Sequence, residues 1–315
     1  MKILLYSPHR QVNKIISDLK KENLFLCINM NFLWKMIPLT SKSKLKFGII
    51  GFFLRVLNPS FILTANWISR YDAFYYLWSK KHPNTRFVVI QHGNYVGGNV
   101  TVNSHKFIRS NIFLTWGSYH KNLFDKLNNR KKVEIYDFGN PLYNGIDRKK
   151  FKYSENNVKN ILIVNSGVTE QGVKELKKLV FQLKKNNFKV KLKLHSHQEK
   201  KFGSFDYNIE LEKKNAYDIL NSNEYELFIV DHSSFMIDAI FYKKRVVFFP
   251  QYDRGEVFYN NLYSKFLESI KKEDLDNKDF DINEIINIEN QENLFNHLII
   301  VRDNNCNYPF IDIQV

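Results

Sequence analysis

Several clusters in this sequence have the residue types and spacing to do chemistry. Gln91-His92-Gly93-Asn94-Tyr95 directly follows the apolar run Phe87–Ile90, with Gly97 and Gly98 close behind. An imidazole there suits a general base or an anion ligand, and the glycines let the backbone turn tightly beside a substrate. The same residues would also make a plain turn whose histidine caps a strand. His195-Ser196-His197 closes the run Val190–Leu194 with lysines behind it, which suits a phosphate or carboxylate as well as an ordinary surface turn. No cysteine or carboxylate stands at the spacing a zinc site needs. Asp231-His232-Ser233-Ser234 separates the run Leu227–Val230 from an apolar helical stretch, so Ser233 or Ser234 falls at a helix N-cap. Hydroxyls, backbone N–H groups and the positive dipole end would converge there on an anion, although a simple cap accounts for one serine equally well. In Asn165–Gly172, Gly167 allows close backbone approach, and Glu170 is either a catalytic carboxylate or a first-turn residue favoured by the dipole. Phe138-Gly139-Asn140-Pro141 supplies turn chemistry whatever the function.

Other motifs are excluded. None of these turns reads GxGxxG or GxxxxGK[ST], so dinucleotide and P-loop chemistry are disfavoured. The pairs Asp274/Asp276 and Asp279/Asp281 lie in an acidic stretch with no buried strand ahead of them, and are rejected as a metal-nucleotide site.

The elements that must position these residues alternate along the chain. Strands are expected at Lys2–Ser7, Leu24–Asn29, Phe61–Ala65, Phe87–Gln91, Ile112–Trp116 and Val133–Asp137, with helices at His9–Glu22, Ser43–Leu57, Ser69–Lys81 and Ser118–Asn128. The strands are near-continuous apolar runs, as in a parallel sheet buried on both faces. The polar stretch Tyr143–Lys159 reads as a linker. The alternation then restarts, with strands at Ile161–Asn165, Val190–His195, Asn208–Leu211, Leu227–Val230 and Val246–Pro250 and helices at Gln171–Lys185, Ala216–Asn221 and Ser234–Tyr242. Helices at Glu256–Lys272 and Ile285–Val301 would finish the chain. The expected architecture is α/β: two Rossmann-like parallel-sheet domains, residues 1–150 and 151–315, facing a central cleft at the carboxyl ends of their strands.

Composition sets the bounds. The chain has 315 residues, 44% hydrophobic, with 47 Lys+Arg against 32 Asp+Glu and a net charge of +15. That apolar share excludes a disordered or collagen-like chain, and the length suits two domains. Cys27 and Cys306 form no CxxC pattern, which fits a reducing cytoplasm rather than a disulfide scaffold. The positive surplus calls for an anionic partner. Leu45–Leu63 is the most membrane-like segment, but Lys46, Arg55 and Pro59 interrupt it, and no signal peptide precedes it. Trp34, Lys35, Lys42, Lys44, Lys46, Phe52, Phe53 and Arg55 mix basic and aromatic groups as interfacial segments do, and a core helix with lysines at its ends would read the same way.

Taken in order, QHG, TWGSYHKNLF, FGNP, KLH-x-H, AYDIL and DHSS ahead of DAIFYKKRVVFF resemble bacterial GT-B glycosyltransferases and the related CDP-glycerol glycerophosphotransferases of surface-polymer synthesis. The series is also similar to the capsule and lipopolysaccharide transferases that use CMP-activated Kdo or sialic acid. It runs from about Phe87 to Pro250, and its specificity lies in order and spacing. The resemblance implies a GT-B fold with the acceptor on the N-terminal domain and the nucleotide on the C-terminal one. It also implies His92 as base, matching the family's QHG histidine, and Ser233 and Ser234 as the nucleotide-binding serine pair. His195-Ser196 stands where the CMP-sugar enzymes have His-Pro. The expected enzyme is a metal-independent glycosyltransferase with no cofactor, its donor a nucleotide-sugar with CMP favoured. Its acceptor would be a glycan or lipid-linked glycan, and its place the cytoplasm or the inner face of an anionic membrane. His195, Ser233 and Ser234 would stabilise the departing phosphate, and Gly167 would line the nucleotide. A retaining reaction would instead need a carboxylate nucleophile, for which Glu170 is the candidate. CDP-polyol phosphate transfer is the alternative chemistry. A polyanion-binding protein is the non-enzymatic one; nucleic acid is not expected as a partner, since the basic residues form no single aromatic-lined track.

Overall fold

The computed structural model describes residues 2–31, 43–66, 69–93, 108–128, 133–155, 157–165, 170–194, 209–231, 233–250, 262–271, 273–277, 280–301 and 308–309. The chain forms two compact units. The first comprises the described residues up to Gly93, 108–146 and those from Leu298 onward; the second comprises those from Asp147 to His297.

In the first unit, β1 (Lys2–Tyr6), β2 (Phe25–Asn29), β3 (Phe61–Thr64), β4 (Arg86–Ile90), β5 (Ile112–Thr115) and β6 (Glu134–Asp137) form one sheet in the order β2-β1-β3-β4-β5-β6. Every pairing is parallel. Helices α1 (Arg10–Lys21), α2 (Ser43–Leu57), α3 (Arg70–Lys81) and α4 (Ser118–Leu127) are its crossovers. All four residues of β3 and of β5 are buried, as continuous apolar runs in a doubly covered sheet require. Val12, Ile15, Ile16 and Leu19 recur at helical spacing on α1 and close over Leu4, Phe61 and Val88.

In the second unit, β7 (Asn160–Asn165), β8 (Lys189–Leu194), β9 (Glu210–Leu211), β10 (Leu227–Val230) and β11 (Arg245–Phe248) form a parallel sheet ordered β11-β10-β7-β8-β9. Helices α5 (Glu170–Lys185), α6 (Ala216–Asn221), α7 (Phe235–Phe241) and α8 (Ile288–Leu298) accompany it. Strand order reverses beside β1 in one sheet and beside β7 in the other. Parallel sheets of this kind place ligands just beyond the carboxyl ends of the strands at such reversals.

Two sequence expectations change. The helix expected over Glu256–Lys272 is not present in its described part: Tyr263–Lys265 is a single 3-10 turn, after which Ser269 bridges Phe248 in parallel and Ile270 donates to the Phe248 carbonyl at 2.9 Å. The outer edge of β11 recruits that segment, and Ile270 enters the core. The two units divide after Ile146, within the Tyr143–Lys159 stretch read as the linker, and the chain is anchored just beyond that point. The Arg148 guanidinium grips Glu292 at 2.7 and 2.9 Å and donates to the carbonyls of Phe241 and Ile240. Finally, the terminus from Leu298 does not stay with the second half of the chain. Ile300 donates to the Trp116 carbonyl, and Tyr308 hydrogen-bonds Asp18, both in the first unit.

Candidate functional site

Three strands of the first unit end at one cleft. Ser7, Pro8 and His9 follow β1; Thr64, Ala65 and Asn66 close β3; His92 stands two residues past β4. The start of α3 supplies Ser69, Tyr71, Asp72 and Tyr75, and together these residues line a cavity of about 430 Å³. It sits where β1 and β3 diverge, the strand-order reversal of this sheet.

The QHG turn is held by its first residue. Gln91 is fully buried; its Oε1 accepts the Trp116 N–H at 2.9 Å, its Nε2 donates to the Gly93 carbonyl at 2.8 Å, and its own carbonyl accepts the Trp116 indole N–H at 2.8 Å. Two motifs far apart in sequence are thus locked together, and the lock sets where His92 leaves the sheet. Gly93 is not needed for steric reasons: a Cβ there would meet open space, and its φ is not positive. Gly139, with φ of 93°, is where the FGNP turn requires glycine.

His92 packs edge to face against His9, their ring centroids 5.6 Å apart. Burial pushes the His92 pKa below the ordinary histidine value, and a hydrogen bond to the Ala65 backbone carbonyl works weakly the other way. A carbonyl only accepts, so the ring nitrogen facing it carries the proton and the other keeps its lone pair in the neutral ring. His9 is likewise held down, first by burial and then by His92. Asp72 is 5% exposed, and burial raises its pKa against hydrogen bonds from Ser69. Ser69 and Asp72 form a capping box: the Ser69 hydroxyl accepts from the Asp72 N–H at 3.1 Å, and Asp72 Oδ2 accepts the Ser69 N–H at 3.0 Å. The cleft therefore joins two neutral imidazoles, a carboxyl group and several hydroxyls. It can take a proton from a bound hydroxyl.

The sequence identified His92 but not His9, Ser69 or Asp72. His9 obeys the same strand-end rule three crossovers earlier, after β1, and Ser69-Arg70-Tyr71-Asp72 spells the capping box, so both signals were present.

In the second unit, Ser233 and Ser234 stand after β10, beside the reversal at β7. Ser233 Oγ accepts the Phe235 N–H at 3.2 Å and its N–H donates to Asp231 Oδ1 at 3.0 Å, so this hydroxyl does cap the helix start. Ser234 occupies the N-cap position, and its side chain makes no capping bond. Glu170 is the first residue of α5. Gly167 and His195 lie outside the described residues. The lysines of β8 do not serve the strand's end: Lys191 pairs with Glu210 at 2.9 Å, and Lys193 donates to the Lys214 carbonyl. A larger hollow, about 730 Å³, is lined by Tyr153, Lys243, Arg245 and Ile288, but it opens at the amino end of β11, the wrong edge for a strand-end site. Among the described residues no group of three or more His, Cys, Asp or Glu is arranged to hold a metal ion.

A family model described as LIC12162 family transferase matches residues 6–202, more than half of the chain, from the last residue of β1 through β4 and every residue that lines the cleft. No curated protein matches the sequence. Among solved structures, a glycosyltransferase from Rickettsia africae ESF-5 superposes with a TM-score of 0.51 at 15% identity, covering 95% of this chain and 94% of that one. A Listeria monocytogenes protein provisionally assigned as a UDP-N-acetylglucosamine 2-epimerase gives 0.58 at 11% identity, over 96% and 93%. The wall teichoic acid polymerase TagF gives 0.56 at 13%, over 94% and 84%. At these identities the likeness is one of fold: two parallel-sheet α/β units of GT-B type.

Proposed function

The chain belongs to the LIC12162 family of transferases, and on that premise we propose that it moves a glycosyl group from a nucleotide-activated donor to a hydroxyl of a glycan acceptor. The observation that carries this reading is the His92–His9 pair at the β1/β3/β4 edge, held neutral by burial and joined by hydroxyls in one cleft.

The acceptor sits in that cleft. His92 takes the proton of its hydroxyl as the oxygen attacks the anomeric carbon; the carbon–oxygen bond to the donor phosphate breaks, and the nucleotide leaves with the bonding electrons. The second unit receives the nucleotide at the β10–α7 turn, with Ser234 and Ser233 donating to the phosphate and His195 and Gly167 completing its surroundings. This path inverts configuration; a retaining path would place Glu170 as the nucleophile. CMP-linked acidic sugars are the favoured donors, for the serine pair, and a capsule or lipopolysaccharide glycan the favoured acceptor. A CDP-polyol donor is the second reading, supported by the fold likeness to TagF, one of whose structures is described with CDPG.

A thermal-shift panel of CMP, CDP, UDP, GDP and ADP tests the donor assignment, since a ligand of the folded state raises its melting point. Stabilisation by CMP alone is expected. A CDP preference moves the assignment to polyol-phosphate transfer, and a UDP or GDP preference rejects the cytidine reading.

A further inference from the structure

Helix α2 shows a face that no described residue covers. Its inner side is packed: Ile50 and Leu54 are 1% and 0% exposed, Gly51 lies 3.7 Å (as a Cβ) from the rings of Phe74 and Trp78, and Phe47 stacks on Phe74. Its outer side carries Gly48, Phe52, Arg55 and Val56, all exposed at helical spacing. Phe52 is 65% and Val56 64% exposed, in contrast to the usual polar outer face of a crossover helix. The surrounding sequence is one-signed. From Asn23 to Tyr71 there is no Asp or Glu in 49 residues, while Lys35, Lys42, Lys44, Lys46, Arg55 and Arg70 supply six cations. Leu24 and Leu26, 46% and 43% exposed at the edge strand β2, belong to the same stretch.

An aromatic and a β-branched side chain exposed beside an arginine, in a region stripped of negative charge, match one surface: apolar side chains enter the acyl boundary while cations meet anionic headgroups. Charge of one sign here is complementary to a surface of the other sign, as an anionic headgroup layer presents. No described helix is long and apolar enough to cross a membrane, so the contact is one of lying on it. We infer that the outer face of α2, centred on Phe52, Arg55 and Val56, docks the protein onto an anionic lipid bilayer. The inference is independent of the transfer chemistry, because it uses no residue of the His92 cleft.

Sedimentation of the full chain with lipid vesicles at physiological salt tests it. Wild type should pellet with vesicles containing about 30 mol% phosphatidylglycerol and stay in solution with pure phosphatidylcholine. The double substitution Phe52→Ser with Val56→Ser should weaken that binding at least about tenfold with an unchanged melting temperature, because both side chains are already in water. Arg55→Glu alone should weaken it in the same direction. The lysine face of α5 is the comparison, where Lys177→Glu with Lys184→Glu should leave most of the binding. Failure of wild type to pellet, equal binding by the α2 variants, or loss through the α5 variant in their place would overturn the assignment. So would a wild-type dimer that the α2 substitutions convert to monomer, since a second copy would then be the occupant.

Discussion

Burial does two things to His92 and His9: it lowers both pKa values, and it makes the first unit sensitive to acid. For catalysis, a base must be unprotonated, so the acid limb of kcat/KM should fall below the ordinary histidine value of about 6.5. A limb at or above that value would remove His92 from the role. For stability, the unfolded chain binds protons at these two positions at a higher pH than the folded one does. Stability therefore rises with pH between the depressed folded values and about 6.5, is complete above that, and is lost on acidification through the window. Chemical denaturation at pH 7 and pH 5 should show this loss, and the His9→Gln variant should shrink it. His92 was legible in the sequence because a polar residue after four apolar ones at a strand end is unusual. His9 was hidden because a histidine before an amphipathic helix also reads as an N-terminal turn. The double meaning of Ser233 was visible, and its capping bond now shows that the structural meaning holds at least for that hydroxyl.

At the scale of elements, β3, β4, β5, β7, β10 and β11 were legible because they are apolar on both faces, and they need no partner information to be recognised, whereas β8 alternates lysines with apolar residues. Edges were not. Apolar spacing in Glu256–Lys272 suggested a helix, whereas the segment's described part meets the exposed side of β11 and is drawn into pairing there. Edge pairing of this kind depends on a neighbour that local periodicity cannot encode. The β5–α4 junction carries the sharpest test. A Cβ on Gly117 would stand 2.5 Å from the Leu298 carbonyl oxygen and 3.0 Å from its carbon, both backbone atoms. Gly117→Ala must push the returning terminus away, straining the Ile300–Trp116 hydrogen bond and the contact of His120 Nδ1 with the Leu298 carbonyl at 3.2 Å. Destabilisation of about 1–3 kcal/mol is expected from denaturant unfolding. An unchanged midpoint would mean that the terminus does not pack there.

At the scale of the whole molecule, two parallel sheets were legible from the restart of the β/α alternation, but the path of the chain between and after them was not. Arg148 lies in a run of basic residues that looks solvated, and its partner Glu292 is 144 residues away. Glu292 also takes the Lys243 ammonium at 2.7 Å and the Tyr153 hydroxyl, while the Arg148 guanidinium lies 4.2 Å from the centre of the Phe295 ring. One carboxylate thus ties the entry of the second unit to α8 and the α7–β11 turn. Arg148→Ala should cost about 1–3 kcal/mol, because it removes the two guanidinium hydrogen bonds to a partly buried carboxylate, which Lys243 and Tyr153 still hold, and the two to the Ile240 and Phe241 carbonyls, and it should lower the unfolding midpoint of the second unit. Unfolding at an unaltered midpoint would reduce the network to surface decoration. The central claim is narrower: the His92 cleft performs the proton transfer, and the nucleotide is bound elsewhere. The measurement that tests it most directly is turnover of a nucleotide-sugar by wild type and His92→Ala, paired with the Kd of the same nucleotide for both proteins. The account predicts a fall in kcat of at least about 100-fold with the Kd unchanged. Retained turnover, or a nucleotide affinity that falls in step with kcat, would contradict it.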